Sequence, residues 1–329
     1  MALRFVEVRL PSGSKDEADA ILEGHEVIDR WRLDGPGEEV HQYLLESQAV
    51  EPLADALRSR FGDVRVIVMP VEATMPRPAE PEVEAQPVEA PKSKDRVSRE
   101  ELYEDIRVGT ALTPAFLAFA ALSAVVASVG LVRDDTVAVI GAMVIAPLLG
   151  PNVGMALATT LADFDLLRKS LKAGLAGLAL SFAIAYILGL FLTVDPAIPE
   201  IAARTQPDLG HLVLALASGI AGGLAFTTGV PSGLVGVMVA VALLPPLATA
   251  GLLLASGHAT AALGAFVLLG TNLVAVNLAG IATFLGQGIR PLWHSEKVSA
   301  RRAARNAIWI WGLLLIVFAA ALGYIQLNV

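Results

Sequence analysis

From residue 114 onward the chain is written in long apolar runs, at 114–132, 136–161, 166–192, 209–226, 233–255, 261–285 and 303–325, joined by short polar connections. At about 1.5 Å per helical residue, each can cross about 30 Å of hydrocarbon. No water reaches the backbone there, so every N–H and C=O must be satisfied within the segment or by neighbouring protein, and runs of this length read as helices. With 55% hydrophobic and 17% charged residues in 329, the chain cannot be an ordinary soluble globule. The expected fold class is an α-helical integral membrane protein of about seven transmembrane helices, lying in the lipid bilayer, with a small soluble head in front.

One of these runs recurs. Residues 139–151 read VIGAMVIAPLLGP, and 95 residues later 234–246 read LVGVMVAVALLPP. Gly141/Gly236, Met143/Met238, Val144/Val239, Leu148/Leu243, Leu149/Leu244 and Pro151/Pro246 are identical in register. Composition alone supplies about one or two such matches in a stretch of this length. The same offset lays the first span on the fourth, with Ser123 on Ser218. Two apolar segments interrupted by proline at the same depth are the sign of discontinuous helices in duplicated halves. A unit of three crossings is odd, so the second copy enters from the opposite side: a 3+3 inverted repeat, at 109–193 and 194–289, with a basic loop and a final span at 290–329.

Loop charge gives the orientation. Lys92, Lys94, Arg96, Arg99, Arg107, Arg168, Lys169, Lys172, Arg290, Lys297, Arg301, Arg302 and Arg305 fall on the side of the N-terminus, whereas Arg133 and Arg204 fall opposite. The bias places the N-terminus in the cytoplasm and the C-terminus outside, in the inner membrane of a prokaryote. Trp309, Trp311 and Tyr324 mark the ends of the last span as interface anchors.

The head, residues 1–72, reads strand, helix, strand, strand, helix, strand. Val6, Val8 and Leu10 alternate with Glu7 and Arg9. Ser14 opens a helix through Ala18, Ile21 and Leu22. Runs at 25–33 and 38–46 form a hairpin across Asp34, Gly35, Pro36 and Gly37. Leu53, Ala54, Leu57 and Phe61 line one face of a second helix, and Val64, Val66 and Val68 a last strand. This is the α+β, ferredoxin-like βαββαβ order. Such a head binds a regulatory metabolite or nucleotide, or only pairs subunits; both roles stay open, and a homo-oligomer, with a dimer favoured, suits either. Residues 73–97, with Pro76, Pro78, Pro81, Pro87 and Pro91 among glutamates, form an extended linker. At 98–108, Ser98 and Glu101 make a capping-box pattern that opens an amphipathic juxtamembrane helix, with Arg99 and Arg107 at the headgroups.

The candidate membrane site follows from the prolines. Pro147, Pro151, Pro245 and Pro246 each remove a backbone donor and leave a carbonyl one turn earlier without its partner. Gly141, Gly150 and Gly154 with Asn152 around the first interruption, and Gly236 and Thr249 around the second, allow close approach and supply polar contacts. Helix N-termini exposed at such breaks favour an anion. Asn272 and Asn277 are polar in an otherwise apolar sixth span, where asparagine either bridges helices or lines a pathway. Thr227 and Thr228 are weaker candidates.

Several chemistries have no residues to use. Absence of Asp, Glu, Lys, Arg and His from the centres of the spans removes a carboxylate proton relay or voltage sensor. Zero cysteines exclude disulfides and thiolate chemistry. His211 and His258, with Asp195, Glu200 and Asp208, share the outer side without a tight metal-ligand spacing, so no metal is expected. No HExxH, GxSxG or phosphate-loop pattern occurs, and an enzyme is not expected. Nor is there a basic stripe for nucleic acid or an N-terminal secretory segment.

The head, the GAMVIAPLLGP segment at 141–151 and the LLPP at 243–246 together resemble a bacterial and archaeal membrane family known as domain of unknown function 389. The resemblance covers 98–290 and implies the architecture; it carries no catalytic residues and no cofactor. The expected activity is a transporter or channel for a small solute, an anion by the helix-terminus argument, regulated by a head that senses a small molecule. A membrane-anchored ligand-binding or signalling protein without transport is the alternative.

Overall fold

The computed structural model describes residues 3–71 except 12, 35–37 and 63, residue 74, residues 97–289 except 98, 207, 230 and 231, and residues 311–314, 316, 317 and 320. The chain divides into two units, Met1–Leu102 and Tyr103–Val329.

The first unit is a four-stranded sheet with two helices, in the order β1 (Leu3–Pro11), α1 (Lys15–Leu22), β2 (Asp29–Asp34), β3 (Glu38–Glu46), α2 (Ser47–Phe61) and β4 (Val66–Val71). The strands stand side by side as β2-β3-β1-β4, and every pairing is antiparallel. The period-two pattern of β1 puts Val6, Val8 and Leu10 on one face, where they pack with Tyr43, Leu45, Ala18, Leu22, Val50, Leu53 and Leu57. Trp31, Leu33 and Met69 stay exposed, and the Trp31 ring meets that of Phe5 at 5.8 Å. The run expected as strand from residue 25 becomes one only at Asp29, because the His25 imidazole Nδ1 lies 2.8 Å from the Ile21 carbonyl and extends the end of α1.

Helix α3 (Arg99–Gly109) begins in the first unit and ends in the second. Its first turn pairs with side chains of the first unit. Arg99 is buried and pairs with Glu51 and Asp55 at 3.3 Å each, while Glu101 takes a two-pronged contact from Arg4 at 2.8 and 3.1 Å. The Ser98 cap and the linker, residue 74 and Val97 aside, lie outside the described residues.

The second unit is helical: α4 (Pro114–Val132), α5 (Thr136–Ile145), α6 (Leu149–Leu161), α7 (Phe164–Phe191), α8 (Pro199–Ala202), α9 (Leu209–Thr228), α10 (Ser232–Ala255) and α11 (Ala259–Gly286). Capping side chains set the starts: Thr113 accepts from Phe116 N, Asp135 from Val137 N and Ala138 N, Asp163 from Leu166 N and Asp208 from His211 N. Among the described residues, five helices are long and apolar enough to cross a bilayer, and α5 with α6, bent by 54°, make a sixth candidate. Phe191 is 82% exposed, as a lipid-facing side chain is and a water-facing one rarely is. In α7 the charged residues Asp165, Arg168, Lys169 and Lys172 are confined to the first turns. Most of the seventh expected span, 303–325, lies outside the described residues.

Candidate functional site

The two proline segments, alike in sequence, fold differently. Pro147 has no N–H, and its ring disfavours the helical conformation in the residue before it. Ala146 accordingly turns extended, at φ −70° and ψ 123°, α5 ends at Ile145, and α6 restarts at Leu149. Pro245 and Pro246 instead remain inside α10, which does not break. This corrects the expectation of two interruptions. Its reason is enclosure: every residue from Ala242 to Leu253 is buried, whereas Val144 and Ile145 just before Pro147 are exposed, so packing on all sides holds α10 through both prolines.

The carbonyl that Pro246 orphans is that of Ala242, one turn earlier. Asn272 of α11 donates to it through Nδ2 at 2.8 Å. The asparagine thus replaces the backbone donor that the proline lacks. Five residues on, Asn277 donates through its own Nδ2 to Asn152 Oδ1 at 3.2 Å and to Leu273 O at 2.9 Å. Asn152, in the first turn of α6, donates to Leu148 O at 2.8 Å. These side chains are buried and join α6 to α11 and α11 to α10. In α10 and α11 three polar atoms are buried without a hydrogen-bond partner among the described residues: Asn272 Oδ1, Asn277 Oδ1 and Thr249 Oγ1.

The other expected residues divide. Gly150 and Gly154 are sites of close approach, because a Cβ on Gly150 would collide with the Gly109 carbonyl, and one on Gly154 with Ser170 Oγ and Thr110 Cγ2. The Gly109 carbonyl therefore stands against the start of α6, which no side chain caps. A Cβ on Gly236 would lie 3.8 Å from Leu149 Cδ2. Gly141 is exposed with nothing around its Cα, so it is not brought to the site. Thr227 and Thr228 both donate to Leu224 O of their own helix. His211 completes the capping box of α9, with Nδ1 2.7 Å from Asp208 Oδ1.

Beside the Asn152–Asn277 pair lies an empty volume of about 210 Å³, lined by Val153, Ala156, Gly219, Gly222, Val239 and Gly280 among others, in which no water-sized sphere fits. The glycine face of α9 closes it: a Cβ on Gly219 would strike the Val276 carbonyl, and one on Gly223 would come 2.9 Å from Thr283 Cγ2. The sequence reading passed over this face, although the spacing of Gly219, Gly222 and Gly223 is a small-residue stripe of the kind that brings membrane helices together.

Apolar spans of this length around a buried neutral polar pair define a multi-pass helical membrane protein whose inner contacts rest on amides rather than charges. A family model described as a domain of unknown function (DUF389) matches residues 143–278, from Met143 before the break to just past Asn277. An uncharacterized protein of Methanocaldococcus jannaschii is 35% identical over 327 residues, covering 98% of this chain and 100% of that one. The chain belongs to the domain of unknown function 389 family. No solved structure matches it.

Proposed function

We propose that the chain is a transporter or channel for a small solute, acting as a dimer in the cytoplasmic membrane, with its head in the cytoplasm and its C-terminus outside. The observation that carries this reading is the break at 146–148, next to which Asn152 is hydrogen-bonded to Asn277 from the other half. A discontinuous helix with a polar contact between repeats is the usual construction of a membrane binding site.

Packing supports the inverted repeat. Helix α6 lies against α11, with Gly280 close to Ala156, and α10 lies against α7, with Gly251 close to Ala185. Each half's second segment thus leans on the other half's third, as a two-fold exchange requires. Six spans to Gly286 and a seventh at 303–325 fit the loop charges. Strand order and all-antiparallel pairing favour a ferredoxin-like head. Its open face carries Trp31, Leu33 and Met69 around Glu7 and Arg9, a mixture that a second head related by two-fold symmetry matches. The proposed regulator is a metabolite or nucleotide bound to such a pair.

The closed crevice favours the second reading, a membrane-anchored binding protein without transport. Purified full-length protein in liposomes separates the two. Flux of a cation, an anion or a small neutral solute that is lost on Pro147→Ala supports transport; no flux of any kind, with Pro147→Ala altering only the melting temperature, overturns it. A thermal-shift screen of the full chain against nucleotides and amino acids tests the sensor, and a response to none of them removes it.

A further inference from the structure

We propose that the asparagine cluster between the two halves binds a small monovalent cation through its amide oxygens. The inference rests on the membrane-site reading above and names its ligand class, which is opposite in charge to the one that the helix termini alone suggest.

The neighbours of each amide fix which end is nitrogen and which is oxygen. Asn277 Nδ2 lies against two oxygens, Asn152 Oδ1 and Leu273 O. Exchanging its nitrogen and oxygen would set oxygen against oxygen twice. Asn272 faces the Ala242 carbonyl and Asn152 the Leu148 carbonyl, and the same repulsion fixes both. The three orientations are therefore dictated by backbone carbonyls. What is left over after those bonds is the oxygen of Asn272 and the oxygen of Asn277, both buried with no donor. The remaining unpaired atom of these helices, Thr249 Oγ1, is a hydroxyl, which also accepts.

Among the described residues, the polar atoms of these helices that make no hydrogen bond at all are thus two amide oxygens and a hydroxyl, and no amide nitrogen. A cation completes both amide oxygens. Leaving a buried acceptor empty is destabilising, and a bound ion removes that cost. The charge of that ion is limited by its surroundings. Amide oxygens are neutral and no carboxylate lies in the described middle of any span, so a divalent ion, which calls for several carboxylates, has too little to offset its hydration. The principal position is at Asn277 and Asn152, beside the crevice of about 210 Å³. Asn272, five residues earlier on α11, is about 7.5 Å away along the helix axis and makes a second station. The crevice takes no water-sized sphere as it stands, so an ion enters only when the glycine face of α9 parts from α11.

The test is thermal unfolding of the purified full-length protein in sodium, potassium, ammonium or N-methylglucamine chloride at equal ionic strength. At about 0.3 M, at least one small cation should raise the melting temperature by roughly 2–4 °C over N-methylglucamine. Asn277→Leu should abolish that rise, and Asn277→Asp, which adds a charge at the same oxygen, should lower the half-saturating concentration about tenfold. Equal melting temperatures in all four salts overturn the proposal. So does a rise that persists in folded Asn277→Leu, that Asn277→Asp leaves at the same midpoint, or that follows chloride against gluconate at fixed sodium. If Asn277→Leu does not fold, the aspartate variant and the wild-type salt series decide alone. A cation-dependent rise without flux overturns the transport reading and keeps the site; anion flux without a cation-dependent rise does the reverse.

Discussion

Gly150 is where a single methyl group separates a working contact from a collision. Its Cα lies against the Gly109 carbonyl, and this approach sets the end of α3 against the start of α6. Gly150→Ala should destabilise by about 1–3 kcal/mol, the usual cost of overpacking where neither backbone can move aside, and is read as a lower melting temperature. Tyr103 offers a test by pH. Its hydroxyl donates to Asp163 Oδ2 at 2.8 Å. Burial, and then the Asp163 carboxylate, push the phenol from its ordinary 10.0 up to about 12. A group whose pKa is raised on folding contributes fully below the unfolded value and loses that contribution as pH rises through the folded one. Stability should therefore fall between pH 10.0 and about 12. Tyr103→Phe should cost about 1 kcal/mol at neutral pH and flatten that fall; an equally steep alkaline loss in the variant would mean another group titrates. None of the tight approaches at Gly109, Thr110 and Gly150 was legible in the chain, because each depends on residues about 40 apart meeting, which no local pattern encodes.

At the scale of elements, length and periodicity carried well. The first span was expected at 114–132 and is α4, Pro114–Val132, and the alternation of Val6, Val8 and Leu10 does mark the covered face of the sheet. The prolines carried less. A proline removes a donor wherever it stands, but whether the helix bends depends on what surrounds it: Pro147 breaks its segment, and the more enclosed Pro245 and Pro246 do not. Asn272 was singled out as a polar residue in an apolar helix, yet its role as the donor missing at Pro246 needed the pairing of α10 with α11. A double-mutant cycle tests that role. Asn272→Leu should cost about 1–3 kcal/mol by leaving the Ala242 carbonyl unpaired. In the Pro246→Ala background residue 246 regains its N–H, and the same change should cost at least about 1 kcal/mol less. Purely additive costs in thermal or chemical unfolding would refute the replacement.

For the whole molecule, the proposed transport requires that the place where Asn152 meets Asn277 open to water. With zero cysteines in the chain, single-cysteine variants need no prior removal of native thiols. Val153→Cys and Val239→Cys place a thiol at the closed crevice. Leu175→Cys, 58% exposed on α7, reports the lipid face, and Asp195→Cys the water-exposed loop after it. A thiol reacts as its thiolate, which forms only where water reaches it. In membranes treated with a water-soluble, charged thiol reagent, both crevice positions should react at least about tenfold faster than Leu175→Cys, a difference of about 1.4 kcal/mol in barrier. Reaction at Asp195→Cys with crevice positions no faster than the lipid-facing one would contradict the account and leave the helices as dry packing.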